Sequence, residues 1–222
     1  PDLLEDEPYG ITLRGTAAPF LQPRRVLHLG GDLRWRKADV EDDDSLVVAF
    51  VARSETHVDR IELYNTGPIN DGSSYGQVVA EGAVVYGSFS LQGEYIWTRV
   101  NRASVAEPVF GGGYVFASVI PTGESRIYDP VDARFNGVTA ARHWYGAIEL
   151  LLRYSRLDLN DDLITGGAGH DWTAAANWYP HRNLRVMLNY VFTNHDAFAT
   201  GDGEFLGDDD FGVFQFRLQY NF

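Results

Sequence analysis

FGVFQFRLQYNF, residues 211–222, decides the fold class. Phe214, Phe216, Leu218, Tyr220 and Phe222 share one face of an extended chain, and Gln215, Arg217, Gln219 and Asn221 share the other. Side chains alternate across a strand with period two, so a slip of one residue would exchange the two faces completely. Working outward from this segment, the same split recurs. In 183–194, Leu184, Val186, Leu188, Tyr190 and Phe192 oppose Arg185, Asn189 and Thr193. In 143–155, Trp144, Ile148, Leu150, Leu152 and Tyr154 oppose Tyr145, Glu149 and Arg153. In 26–36, Leu27, Leu29, Leu33 and Trp35 oppose His28, Asp32, Arg34 and Arg36. Further strands are expected over 9–19, 46–53, 58–64, 75–86, 89–101, 111–122 and 169–178, which makes about eleven in all.

Each clear strand is close to the 9–11 residues with which a tilted strand crosses a bilayer. The connections alternate in length, as they do in membrane barrels. Residues 86–89 and 179–183 read as tight turns, whereas 38–45, 65–74, 158–169 and 200–210 read as longer polar loops. Segment 123–141 breaks the rhythm, being long yet on the tight-turn side. Aromatics gather toward strand ends: Trp35, Tyr86, Phe89, Trp144, Trp172, Trp178, Tyr220 and Phe222. Girdles at the two membrane interfaces would place them there. The expected fold is therefore all-β, a transmembrane antiparallel up-and-down β-barrel. A soluble β-sandwich binding module remains open, because one strand's alternation serves a sandwich core equally well.

Composition narrows the function. The net charge of −13 is wrong for a nucleic-acid partner. Cysteine is absent, which excludes disulfides, thiol chemistry and Cys-based zinc sites. No apolar run is long enough for a membrane-spanning helix. The six His residues form no HExxH, and no GxSxG, GxGxxG or P-loop occurs, so neither catalysis nor a cofactor is expected. Of 18 basic residues only Lys37 is lysine, leaving 17 arginines. A GC-rich genome explains that bias as well as a use for permanently charged planar donors does.

The residues also carry a resemblance. LRGTAAP (13–19), LHLGGDLR (27–34), EGAVVYGSFSLQGEYIWTRVNR (81–102), FGGGYVFASVIPTGESRIYD (110–129), YGAIELLLRYSRLDLND (145–161), GGAGHDWTAAANWYPHRNLRVMLNYV (166–191) and the closing RLQYNF follow in the order and spacing of the phosphate-selective porin O and P family. This sequence resembles that family over most of its length. It departs from it at Pro121-Thr122-Gly123-Glu124, where the family has Leu-Thr-Gly-Glu. The resemblance implies a sixteen-stranded, usually trimeric barrel in a Gram-negative outer membrane, admitting phosphate or related anions among lipid and lipopolysaccharide. It also implies a single barrel domain over 1–222, with the N-terminal strands and an inward constriction loop lying before Pro1. A final strand ending at the periplasm would put the tight turns there and the acidic loops outside.

Alternation assigns the lumen independently. With apolar residues facing lipid, Arg14, Arg34, Arg36, Arg153, Arg185 and Arg217 should line an anion pathway. A guanidinium stays charged and its fork of donors matches phosphate oxygens. Asp32, Glu81, Glu94 and Glu149 fall on the same face, so Arg–carboxylate pairs that brace the wall compete with this reading. A barrel serving only as a structural or adhesive envelope element stays open for the same reason. Asp202, Glu204, Asp208, Asp209 and Asp210 form a weak candidate calcium loop, although EF-hand spacing is not met.

Overall fold

The computed structural model describes residues 9–40, 46–55, 61–102, 106–139, 143–161, 164–200 and 210–221. The described residues contain strands and turns but no helix. Nine strands form one sheet: β1 (Gly10–Gln22), β2 (Arg25–Lys37), β3 (Gly72–Tyr86), β4 (Phe89–Arg102), β5 (Val109–Val119), β6 (Ala147–Asp161), β7 (Ile164–His181), β8 (Leu184–His195) and β9 (Phe211–Tyr220). Every strand pairs antiparallel with its neighbour in sequence, giving an up-and-down meander. β1 and β9 are the two edges, so the sheet is open.

Register follows the alternation. Leu13 faces Leu33, Leu33 faces Val78, and Val78 faces Trp97, all on one side of the sheet. On the other side Glu81 faces Glu94, Glu94 faces Tyr114, Tyr114 faces Ser155, and Ser155 faces Asp171. The apolar face is uncovered in every strand: Leu13, Leu33, Val78, Trp97, Val115, Leu152, Trp172, Leu188 and Phe216 are all exposed. A sandwich would bury this face against a second sheet. The polar face is the covered one instead.

At one end the strands close in tight turns at 23–24, 87–88 and 182–183. Gly87 has φ 63°, as a two-residue hairpin loop requires. Arg24 takes φ 63° without being glycine, and its Nη2 donates to the Gly123 carbonyl at 2.9 Å and to Ser88 Oγ at 3.3 Å. The tight turn thus carries a side chain that ties down the long connection 120–146. That connection does lie at the tight-turn end, as parity requires, and it contains its own hairpin, Arg126–Asp129 paired with Arg134–Val138. The departure Pro121-Thr122-Gly123-Glu124 forms its entry turn, where Gly123 N donates to Ile120 O and Thr122 donates to the fully buried Glu124.

Two expectations need correction. The described parts of segments 46–53 and 58–64 do not enter the sheet. The described part makes short ladders only, Leu46–Val48 with Asp39–Val40 and with Ile69–Asn70, and Val51–Ala52 with Tyr64–Asn65. Their alternation serves a local core in which Val48, Leu63, Tyr64 and Ile69 pack against Val100, Phe110 and Leu159 of the sheet. That leaves nine sheet strands among the described residues, where about eleven were expected. The polar run 158–169 is likewise no open loop, because β6 continues to Asp161 and β7 begins at Ile164. Polar residues can extend a hairpin where both faces are wet, so polarity marked a change of surroundings and not an end of pairing.

Candidate functional site

The covered face gathers the charge. Two connections fold onto it from opposite ends. Segment 38–71 comes from the long-loop end and connection 120–146 from the tight-turn end.

Segment 38–71 brings Glu55. Its carboxylate accepts from Arg153 Nε at 2.9 Å and Nη2 at 2.7 Å, and from Thr173 Oγ1 at 3.4 Å. The Arg153 guanidinium also lies 4.1 Å from the centre of the Tyr114 ring. Tyr114 in turn donates to Glu94 at 3.3 Å. Tyr64 of the same segment seats its hydroxyl over Gly169, where a Cβ would collide with it. Burial raises the Tyr64 phenol above its ordinary range, and Asp171, Asp196 and Glu55 push the same way.

Connection 120–146 brings Arg126 and Tyr128. Arg126 Nε and Nη2 donate to Glu149 Oε1 at 3.0 and 2.7 Å. Glu149 is fully buried and its second oxygen accepts from Asn177 and Tyr179 at 3.0 and 2.9 Å. Tyr128 Oη lies 2.8 Å from His28 Nδ1, and His28 Nε2 lies 3.2 Å from Glu81. Burial raises the Tyr128 phenol. The hairpin turn is held by Asp129, whose carboxylate accepts from the backbone N–H of Asp132 and Val131, which lowers its pKa.

The six arginines read from alternation divide into groups. Arg14 is ion-paired, Nη2 to Glu81 at 2.7 Å and Nε to Asp32 at 3.6 Å. Arg153 is ion-paired with Glu55. Arg34 is exposed, with its guanidinium 6.0 Å from the Tyr75 ring centre. Arg36, near the end of β2, is half-buried. Arg185 stands 5.2 Å from the Tyr179 ring, and its Nε has no hydrogen-bond partner among the described residues. Arg217 is exposed on the edge strand β9.

The sequence profile of the phosphate-selective porin O and P family matches residues 5–222. The chain belongs to this family. Porin O of Pseudomonas aeruginosa is 28% identical over 235 aligned residues, covering 94% of this chain and 52% of that protein. An uncharacterized protein of Caulobacter vibrioides is 31% identical over 199 residues, covering 87% of this chain and 39% of that one. The chain thus spans about half or less of the length of these curated relatives.

Within this porin O and P chain, the described aromatic residues expected at the interfaces lie on the uncovered face or at strand ends. Trp35 stands near the long-loop end of β2 and packs on Tyr9. Trp144 is almost fully exposed just before β6, and Trp178 Nε1 donates to the Tyr145 carbonyl at 2.7 Å. Tyr220 ends β9, whereas Trp172 sits midway along β7 against Tyr154. Phe222 falls outside the described residues, as do Asp202, Glu204, Asp208 and Asp209 of the candidate calcium loop. Asp210 accepts from Asn194 Nδ2, and no metal-binding cluster occurs among the described residues.

Sequence reasoning missed Glu55, Arg126 and Tyr128. None stands in a clear strand of the sheet, so strand alternation could not aim them. The usable signal was the broken rhythm at 123–141: a long connection on the short-turn side needs somewhere to go.

Proposed function

We propose that the chain forms part of an outer-membrane β-barrel porin, a passive diffusion channel that prefers anions, phosphate or polyphosphate among them. The observation that carries this reading is the inverted sheet. Its apolar face is uncovered over nine strands, while its charged face is covered by the chain's own inward segments. Lipid is the solvent that suits such an exterior, and a barrel satisfies every backbone group within it. Family membership supports a porin, and the relative named Porin O supports the same class. The remaining strands of a sixteen-stranded barrel would pair with the edges β1 and β9. A homotrimer in a Gram-negative outer membrane, bounded by lipid and lipopolysaccharide, is the assembly proposed. The task needs no catalysis. A polar lumen lowers the barrier to a charged solute by replacing lost water contacts.

For the anion pathway we assign Arg34, Arg185 and Arg217 to solute contact. Arg14 and Arg153, held by carboxylates, brace the wall. Reversal potential in a salt gradient tests the reading. Anion preference with conductance sensitive to phosphate is expected; cation selectivity would overturn it.

A further inference from the structure

A cavity of about 370 Å³ lies between the inward segment 50–55 and the covered face of β3 to β7. Phe50, Phe110 and Tyr64 form its apolar wall. Phe50 and Phe110 meet at 5.6 Å between ring centres, at a steep angle.

Its charges are unevenly spent. The lining arginines Arg53, Arg153 and Arg156 are ion-paired with Glu62, Glu55 and Asp158 at 3.4, 2.7 and 3.1 Å. The lining carboxylates of Glu94 and Asp171 make no salt bridge among the described residues. A free anion entering here would meet two negative groups and cations already engaged.

Two buried atoms of the wall lack a partner. Ser155 Oγ and Asp171 Oδ1 have no hydrogen bond among the described residues. Both residues line the cavity, are 8% and 7% exposed, and face each other across β6 and β7. Buried polar atoms are nearly always paired, so a carboxylate oxygen left open beside an unpartnered hydroxyl calls for a donor to the carboxylate.

We propose that this cavity binds a small organic ammonium ion. Its N–H groups donate to Asp171 Oδ1 and Ser155 Oγ, and its hydrocarbon body lies against Phe110 and Phe50. The aromatic faces favour a cation as well as an apolar body. An acceptor-only carboxylate has two oxygens to offer such a donor. The site does not depend on the anion preference proposed above. Loss of phosphate-sensitive conductance would leave it standing.

The test is calorimetric titration of the detergent-purified protein with phenethylammonium and with 3-phenylpropionate, which share a body and differ in charge. The ammonium is expected to bind at least tenfold more tightly than the carboxylate. Asp171→Asn should weaken the ammonium at least tenfold, and Glu94→Gln at least threefold. Heat-dependent gel mobility reports whether each variant is folded. If Asp171→Asn does not fold, Glu94→Gln decides. Equal affinity for the two probes would overturn the proposal. So would wild-type affinity for the ammonium in the folded variants.

Discussion

Arg126 grips Glu149 with two nitrogens on one oxygen, at 3.0 and 2.7 Å, although the arginine belongs to a connection and the glutamate to a sheet strand. Asn177 and Tyr179 complete the other oxygen. The charge of a fully buried carboxylate is thereby neutralised by a segment that must first fold inward. Removing one partner of such a pair costs about 3–5 kcal/mol, because the other charge is left buried and alone. Arg126→Ala should therefore destabilise the protein by about that amount. The double variant Arg126→Ala with Glu149→Gln should recover a substantial part of it. Urea unfolding from detergent or vesicles measures both. If the double variant were no better than the single, the pair would not be what anchors the connection.

The same pair shows what the sequence reveals and what it hides. Glu149 was legible as an inward residue, since Ile148 and Leu150 on either side fix its face. Nothing local to Arg126 says where it points, because its position depends on where a long connection docks. Glu55 is hidden in the same way. The nine sheet strands were legible because each pays for its own register with an apolar face. Segments 46–53 and 58–64 imitate that signature, since Val48, Phe50 and Tyr64 also alternate, but the surface they cover is the sheet itself. Period two records which side of an extended segment is apolar. It does not record whether that segment is in the sheet or lying upon it.

The division of the arginines predicts unequal effects on conduction. Arg14 and Arg153 are already neutralised by Glu81 and Glu55. Arg185→Glu and Arg217→Glu should shift the reversal potential away from anion preference in a salt gradient. Arg14→Gln and Arg153→Gln should change it little and should loosen packing instead. A larger shift from Arg153→Gln than from Arg217→Glu would exchange the two roles.

Glu55 offers a complementary prediction. Its carboxylate holds Arg153 on the Tyr114 ring, with Thr173 as a second donor. Glu55→Gln removes the negative charge but keeps an acceptor, so Arg153 becomes an uncompensated cation on the covered face. Anion permeability relative to cations should rise in Glu55→Gln and return toward wild type in Glu55→Gln with Arg153→Gln. Bi-ionic potentials measure the ratio. An unchanged ratio in the single variant would place this pair away from the conducting path.

Tyr64 gives a pH dependence with a definite sign. Its phenol is raised in the folded state, chiefly by burial. An unfolded tyrosine loses its proton near pH 10, so at higher pH the unfolded chain releases a proton that the folded chain retains. The stabilising contribution is fully present below about pH 10 and is lost as pH rises through the folded-state value. Alkaline titration of stability should thus show a falling limb that Tyr64→Phe flattens. The substitution keeps the buried ring but removes the hydroxyl over Gly169, so nothing there can ionise.

The uncovered face makes the sharpest distinction between lipid and water as its surroundings. Leu188 is exposed on β8, midway between Tyr190 and Val186 on the same face. Arginine at a lipid-facing position costs roughly 2–4 kcal/mol near the bilayer midplane and little near the interfaces. An exposed substitution in water usually changes stability by less than about 0.5 kcal/mol. Leu188→Arg should therefore weaken folding into lipid vesicles strongly, whereas Asn189→Arg, one residue along and on the covered face, should be spared that lipid penalty. Denaturant titration in vesicles compares the two. Equal small effects would mean that the face carrying Leu188, Phe214 and Phe216 does not meet hydrocarbon, and the barrel reading would fall with it.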